Sequence, residues 1–238
     1  LAPGINPDFE IGRLLTEKRF PHCAPTIGAI ELQSHQEEPL TVAILQGFVP
    51  NQGDAWGYAL ERLQRYFDVI EGQPPPTLPA FFAADLLDVA PCEKATRFIG
   101  DFLESARRLG RRTAEMHLCL ASEQYLPGFK PEAFSKLYQR ALYQSMRSLA
   151  GKALPLLRWQ FNRLPEGLRP LAVYVMEHES ELMSRFKELL DSKIGALRIR
   201  CHGDYHLGQV LVTGRDFVVI DFEGEPARPV SERRIKRS

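Results

Sequence analysis

The fold of this chain is decided by two short stretches near its C-terminal end, CHGDYHLGQVL at residues 201–211 and IDFEGEP at residues 220–226. The first stretch carries a carboxylate, Asp204, followed by an amide, Gln209, and the second carries another carboxylate, Asp221. Phosphoryl transfer from ATP to a hydroxyl needs a group that aims the hydroxyl and hard oxygen ligands that hold Mg²⁺ against the phosphates. These three side chains therefore predict phosphoryl transfer that depends on ATP and Mg²⁺.

Each of the three side chains has a predicted role that suits its chemistry. Asp204 is expected to orient the acceptor hydroxyl and to take its proton late, because an ordinary aspartate is a weak base at neutral pH. Gln209 and Asp221 are expected to offer oxygen atoms to Mg²⁺. The alternative for all three is a capped turn beside a surface carboxylate.

Two histidines and a glutamate beside these residues have two interpretations each. His202 and His206 flank Asp204 and could serve a metal-dependent hydrolase, but Mg²⁺ prefers oxygen ligands, so both are predicted to be supporting, hydrogen-bonded histidines. Glu223 is predicted to add a metal-facing oxygen. Its alternative is a solvated side chain or an ion pair with one of the nearby arginines.

The two motifs together resemble the aminoglycoside-phosphotransferase-like branch of the protein-kinase-like fold and, more narrowly, the maltokinases. Two further stretches are similar to maltokinases, GINPDFEIGR at residues 4–13 and LQGFVPNQGDAW at residues 45–56. The C-terminal stretch is most similar to the form fused behind a trehalose synthase domain. The resemblance implies ATP-dependent conversion of maltose to maltose 1-phosphate, feeding glycogen and other α-glucan synthesis, with maltose and a fused trehalose synthase domain as the expected partners.

The resemblance also implies roles for individual positions. Asp204 matches the catalytic-loop aspartate of kinases, while Gln209 and Asp221 match their metal-binding asparagine and aspartate. Glu10 is similar to the glutamate that pairs with a strand lysine, and its alternative is an acid at the start of a helix that complements the helix dipole. The nucleotide-binding hinge, which contacts adenine through backbone groups, is matched by Gln46, Gly47 and Phe48.

Three departures from the kinase pattern qualify these roles. Gly203 stands where protein kinases have an arginine that gathers an activation-loop phosphate, which implies a small-molecule kinase without that switch. Glu223 replaces the glycine of Asp-Phe-Gly. Neither a glycine-rich phosphate loop nor a strand lysine precedes Glu10 in the sequence, so the chain is expected to be a fragment that is inactive alone.

Composition excludes several other classes of protein. The chain has 238 residues, 44% of them hydrophobic, which excludes disorder for most of its length. Thirty basic residues balance 30 acidic ones, so nucleic-acid binding is not expected. No apolar run is long enough to predict a membrane span, and no secretory signal is visible. The four cysteines (Cys23, Cys92, Cys119, Cys201) are scattered without a CxxC pair, which favours reduced thiols in the cytoplasm.

The predicted fold class is α+β, a bilobal protein-kinase-like fold. Residues 1–48 form a truncated N-lobe of a helix and strands, and residues 49–238 form a mainly helical C-lobe, truncated at its end. Asn6 and Asp54 are the predicted N-caps of two helices, over 7–16 and 55–67. Periodicity predicts further helices over 93–121, 131–150 and 170–190, and short strands over 27–32, 41–45, 198–200, 210–212 and 217–220. Residues 73–79, with four prolines, predict an extended loop.

Three alternatives to a maltose kinase stay open from the sequence. The chain could be a phosphotransferase for another small-molecule hydroxyl. It could be a non-catalytic, kinase-like docking module. It could also be a hydrolase that binds a metal through His202, Asp204 and His206.

Overall fold

A computed structural model describes residues 4–33, 39–72 and 97–237 of the chain. These residues divide into two compact units, the first within residues 4–130 and 199–236 and the second within residues 131–198 and 237. Helices and short antiparallel strands occur in both, which confirms the predicted α+β class. The predicted loop over 73–79 and Cys92 lie outside the described residues, and the predicted lobe boundary at residue 48 stays a prediction.

The first unit opens with a helix and a hairpin that match the prediction closely. Helix α1 spans Pro7–Glu17, and the side chain of Asn6 caps it by accepting the backbone N–H groups of Asp8 and Phe9. Strands β1 (Thr26–Leu32) and β2 (Leu40–Gln46) pair antiparallel. The predicted cap and both predicted strands are therefore confirmed, with boundaries shifted by about one residue.

Two longer helices follow in the same unit. Helix α2 spans Ala55–Ile70, and Asp54 caps it by accepting the N–H of Gly57. Helix α3 spans Phe102–Ala121. The predicted single helix over 93–121 is wrong in its described part, because a helical turn at 97–99 ends at Gly100, whose φ of +62° breaks the helix. Residues 93–96 lie outside the described residues.

The second unit is mainly helical. A short pair of strands, β3 (Glu132–Ala133) and β4 (Leu197–Arg198), accompanies α4 (Lys136–Gln160), α5 (Arg169–Glu177) and α6 (Glu179–Glu188). Helix α4 begins later than predicted because Ser135 is its N-cap, and it continues past Pro155 to Gln160. The predicted helix over 170–190 is two helices, because the backbone leaves helical geometry at His178.

The first unit closes with the hairpin that carries the motif residues. Strands β5 (Val210–Thr213) and β6 (Asp216–Val219) pair antiparallel, and a short helix, α7, spans Val230–Arg233. Val219 and Phe222 are buried in the main core of this unit, together with Ile11 and Leu15 of α1 and Met116 of α3. The core therefore holds both ends of the segment that contains Asp221.

Within the described residues, no helix combines the length and the apolar character needed to cross a membrane.

Candidate active site

The register of the β5–β6 hairpin brings the two sequence motifs together. Val210 pairs with Val219, so the residues just outside them, Gln209 and Ile220, lie opposite each other, and the Ile220 N–H donates to the Gln209 carbonyl at 3.0 Å. Asp221 is the next residue along the chain. A hairpin of apolar strands closed by a Gly214-containing turn thus places the predicted amide ligand beside the predicted carboxylate ligand.

Gln209 and Asp221 contact each other directly. The side-chain Nε2 of Gln209 donates to Oδ2 of Asp221 at 2.6 Å. Among the residues that the structure describes, this bond leaves Oε1 of Gln209 and Oδ1 of Asp221 without a hydrogen-bond partner, on a half-buried and an exposed side chain respectively. One amide oxygen and one carboxylate oxygen fit Mg²⁺, which typically takes one or two protein ligands and completes its octahedron with water and phosphate oxygens.

His202 connects the Asp204 loop to the strand before Asp221. Its Nε2 donates to the carbonyl of Ile220 at 2.9 Å, and its Nδ1 accepts the backbone N–H of Asp204 at 3.4 Å. The side chain is only 2% exposed, and burial lowers its pKa below the ordinary value of 6.5. The neutral imidazole with its proton on Nε2 fits both contacts, so the predicted supporting role of His202 has a clear geometry.

The same geometry argues against the hydrolase alternative. Both ring nitrogens of His202 face backbone groups, which leaves neither nitrogen for a metal. His206 lies beside Asp204, with Nε2 4.0 Å from Oδ2, while its Nδ1 accepts the N–H of Gly208 at 3.1 Å. The three side chains therefore do not converge their donor atoms on one point.

Gly203 and Gly224 explain why the kinase arginine is absent here. Gly203 has a φ of +91° and Gly224 a φ of +76°. A Cβ on Gly203 would lie 2.9 Å from the Cα of Gly224, a distance that real structures do not show. The close approach of the two backbones thus excludes any side chain at residue 203, independently of what the arginine does in other kinases.

Asp8 is a site residue that the sequence interpretation missed. Its Oδ1 accepts the backbone N–H of Phe222 at 2.9 Å, and its Oδ2 accepts Nε2 of Gln46 at 3.3 Å. Burial raises the pKa of the Asp8 carboxyl, the bond from Phe222 opposes that rise, and the nearby Asp221 carboxylate adds to it. The signal was present in the helix period, because Asp8 lies three and seven positions before Ile11 and Leu15, on the buried face of α1.

Glu10 forms ion pairs with two arginines of the described chain. Its carboxylate contacts the buried guanidinium of Arg200 at 2.8 Å and the guanidinium of Arg234 at 2.9 and 2.7 Å. These are its ion-pair partners among the residues that the structure describes. The network ties α1 to the strand segment before the Asp204 loop, and a contact between Glu10 and a nucleotide stays a prediction.

The structure gives the positions of the predicted hinge residues and of Glu223, but it does not test their predicted contacts with adenine and with a metal ion. The N–H of Gly47 donates to the Pro25 carbonyl at 2.8 Å, and a Cβ at Gly47 would lie 2.7 Å from Pro25, so only glycine fits. The side chain of Phe48 is 88% exposed. Glu223 lies 4.0 Å from Arg233. The predicted adenine contacts and the metal role of Glu223 remain predictions.

Comparisons with known proteins show the family of this chain and the fold that it shares with solved structures. The model of the phosphotransferase enzyme family matches residues 50–224. A glucosamine kinase of Streptacidiphilus jiangxiensis is 22% identical over 202 residues, which cover 84% of this chain and 36% of that protein. The chain thus spans little more than a third of this curated relative.

Solved structures of glucosamine kinase have a similar fold. One, in complex with glucosamine, ADP and inorganic phosphate, superposes with a TM-score of 0.66 at 20% identity, covering 98% of this chain and 47% of that one. A second, crystal form B, gives a TM-score of 0.63 at 20% identity, covering 99% and 46%. At this level of identity the likeness shows the fold, which confirms the kinase-like part of the predicted fold class. The division into two lobes stays a prediction.

Proposed function

We propose that this chain, which belongs to the phosphotransferase enzyme family, carries the phosphoryl-transfer site of an ATP-dependent sugar kinase. The observation that carries the proposal is the joint placement of Asp204 and the Gln209–Asp221 pair by one buried histidine, His202. A family match alone would leave the chemistry open. A positioned carboxylate beside two metal-capable oxygens supplies the parts that phosphoryl transfer needs.

Asp204 supplies the acceptor side of the reaction. Its side chain is 33% exposed, and its backbone N–H is held by His202, so the carboxylate stands on a fixed loop that solvent and a ligand can reach. We assign it to accept the hydrogen bond of the attacking sugar hydroxyl and to receive the proton late in the transfer. Most of its effect on the rate then comes from orientation.

Gln209 and Asp221 supply the nucleotide side. Their free oxygens would hold Mg²⁺, which when bound neutralises negative charge on the phosphates. The connector of Gln46, Gly47 and Phe48 is assigned to adenine, as the kinase resemblance implies. The metal assignment is supported by the hydrogen bond between Gln209 and Asp221, and the adenine assignment by the resemblance.

The acceptor we propose is maltose, with maltose 1-phosphate as the product and α-glucan synthesis as its use. The support is the resemblance of residues 4–13, 45–56 and 201–226 to maltokinases. A fused trehalose synthase domain and a cytoplasmic location belong to the same proposal. Glucosamine is the second candidate acceptor, because both the curated relative and the solved structures are glucosamine kinases.

The test uses the protein in its full natural length. Mg-ATP is supplied with maltose, glucosamine, glucose, trehalose or an aminoglycoside, and sugar phosphate and ADP are measured. Asp204→Asn should lower turnover by about 10²–10⁴-fold while the protein stays folded, because it removes the carboxylate that orients and deprotonates the hydroxyl. Asp191→Asn, at an exposed aspartate of the second unit, is the matched control and should keep full activity.

The outcomes separate the alternatives. Product with maltose supports the full proposal, and product with glucosamine or another acceptor keeps the kinase and replaces the sugar. Transfer that survives Asp204→Asn would contradict the assigned role of that residue. A folded protein that phosphorylates none of the acceptors would favour the docking-module alternative.

A further inference from the structure

We propose that Asp8 is a positioning residue for phosphoryl transfer, which holds the metal loop, Asp221–Gly224, in place and links it to the connector that begins at Gln46, the last residue of β2. This inference rests on the proposed function and deepens it. Asp8 lies in the GINPDFEIGR stretch, but the resemblance assigns it no role; it belongs to the first turn of α1 and lies 213 residues before Asp221.

The metal loop begins with a strained backbone that needs support from outside. Asp221 has a φ of +61°, a left-handed conformation that a residue with a Cβ rarely adopts. Such a conformation persists where the surroundings over-determine it. Two hydrogen bonds surround Asp221: Gln209 holds its carboxylate at 2.6 Å, and Asp8 holds the N–H of the following residue, Phe222, at 2.9 Å. The ring of Phe222 is itself buried in the core.

Asp8 is fixed well enough to serve as an anchor. Pro7 occupies the first position of α1, and Asn6 caps the helix by accepting the N–H of Asp8 at 2.8 Å. The N-terminal end of a helix also favours a negative charge. The carboxylate is therefore held by the helix that carries Ile11 and Leu15 into the same core as Phe222.

The location of Asp8 is unfavourable for a carboxylate that only fills space. It is half-buried, and it lies close to two other acids, Asp221 and Glu223, whose charges oppose its own. A small neutral side chain would avoid both the burial and the repulsion. The two hydrogen bonds that Asp8 accepts are what such a side chain could not supply.

The second bond of Asp8 connects the metal loop to the connector. Gln46 is the last residue of β2, and its Nε2 donates to Oδ2 of Asp8 at 3.3 Å. Gly47, the next residue, is fixed through its N–H to Pro25. One carboxylate thus joins the loop assigned to Mg²⁺ with the segment assigned to adenine. A displacement of either segment should therefore displace the other.

The experiment measures ADP binding by calorimetry, with and without Mg²⁺, in the full-length protein. In the wild type, Mg²⁺ should tighten ADP binding. Asp8→Ala should weaken that tightening by about tenfold, the effect of losing one hydrogen bond to a charged group, while metal-free ADP binding changes less. Asp8→Asn should keep the tightening of ADP binding by Mg²⁺ within about twofold of the wild type. In that variant Oδ1 can still accept the N–H of Phe222, and the side-chain amide of Gln46 can rotate to accept from the new amide.

Two controls keep the result interpretable. Glu17→Gln changes an exposed acid of the same helix and should leave ADP binding unchanged. Hydrogen exchange of residues 217–224 should be slow in the wild type and in Asp8→Asn and faster in Asp8→Ala, a readout that does not depend on any ligand. If Asp8→Ala does not fold, the wild type and Asp8→Asn still test the proposal through both measurements.

The proposal and the proposed function fail in different ways. A wild type that binds no ADP contradicts the proposed function. A wild type with a clear Mg²⁺ effect that Asp8→Ala keeps in full overturns the role of Asp8. The role of Asp8 is also overturned if Asp8→Asn loses the Mg²⁺-dependent tightening of ADP binding or the slow hydrogen exchange of residues 217–224, since that variant preserves the acceptor oxygen.

Discussion

The two hairpins of the first unit have the same antiparallel pairing and very different surroundings. Both pair two apolar strands antiparallel, β1 with β2 and β5 with β6. In the second hairpin Val210 and Val219 are at most 1% exposed, whereas Ile27 and Ile30 of the first are 65% and 64% exposed. The hairpin whose ends carry Gln209 and Asp221 is therefore the more deeply buried of the two.

This difference shows what fixes the site. Strand-forming residues alone do not hold a side chain in place, since β1 has them and still leaves its isoleucines exposed. The ends of β5 and β6 are fixed by the core beneath them, by the register opposite them and by His202 beside them. Precision at Gln209 and Asp221 comes from packing, so changes in the second hairpin and its surroundings should have the larger effects.

The largest effect should come from adding one methyl group beside the second hairpin. Gly203→Ala places a Cβ 2.9 Å from the Gly224 backbone and demands a φ of +91° from alanine. We expect a loss of about 2–4 kcal/mol in the free energy of unfolding and at least about 100-fold in phosphoryl transfer. Urea unfolding and a turnover assay measure the two.

Gly28→Ala in β1 is the matched control for that variant. Beyond the adjoining residues of the chain, no atom that the structure describes lies within 4 Å of the place the new methyl group would take. The glycine does not have a positive φ either, so this change should be neutral or slightly stabilising. Equal damage from the two substitutions would contradict the claim that surroundings, and not strand identity, distinguish the hairpins.

A smaller effect should follow from shortening one valine in each hairpin. Val219 is fully buried between the helices of the main core, so Val219→Ala should lower the free energy of unfolding by about 2 kcal/mol. Val42 in β2 is 42% exposed, and Val42→Ala should change it by less than about 0.5 kcal/mol. Chemical denaturation at one temperature gives both values. If Val42→Ala lowers the free energy of unfolding as much as Val219→Ala does, the first hairpin is as well packed as the second.

The sequence predicted most of the fold because its signals were local. The Asn6 cap, the Asp54 cap and the apolar strands all act within a few residues, and the structure confirms them. The errors fall where a contact or a single backbone angle decides, as at Gly100 and His178, where predicted continuous helices end. Periodicity does not register a single residue that leaves helical geometry.

The site divides in the same way. Asp204, Gln209 and Asp221 belong to motifs with fixed spacing, so their proximity could be predicted, although their roles await the assays above. Asp8 and the pairing of Glu10 with Arg200 are contacts between parts of the chain about 190 residues or more apart. No motif encodes such contacts. Only the position of Asp8 on the buried face of α1 hinted at one of them.

The smallest expected effect is a dependence of the second hairpin on pH. Burial lowers the pKa of His202 below 6.5. At a pH just below 6.5 the imidazole is therefore protonated in the unfolded chain and neutral in the folded chain. The contribution of the neutral, buried His202 to the free energy of unfolding is therefore complete above pH 6.5. It declines as the pH falls from 6.5 towards the lowered pKa of His202, by at most about 1.4 kcal/mol per pH unit. His117, whose pKa burial also lowers, acts in the same direction.

Nitrogen NMR of the imidazoles separates the two histidines. His202 should stay neutral, with its proton on Nε2, at a pH below 6.5, because a proton on Nδ1 would displace the N–H of Asp204. Hydrogen exchange at acidic pH should then rise first in residues 201–204 and 220, which His202 joins, and later in strands β1 and β2, which contain no histidine. A fully charged His202 in the folded protein at pH 6.5 would contradict the buried contacts and remove the pH difference between the hairpins.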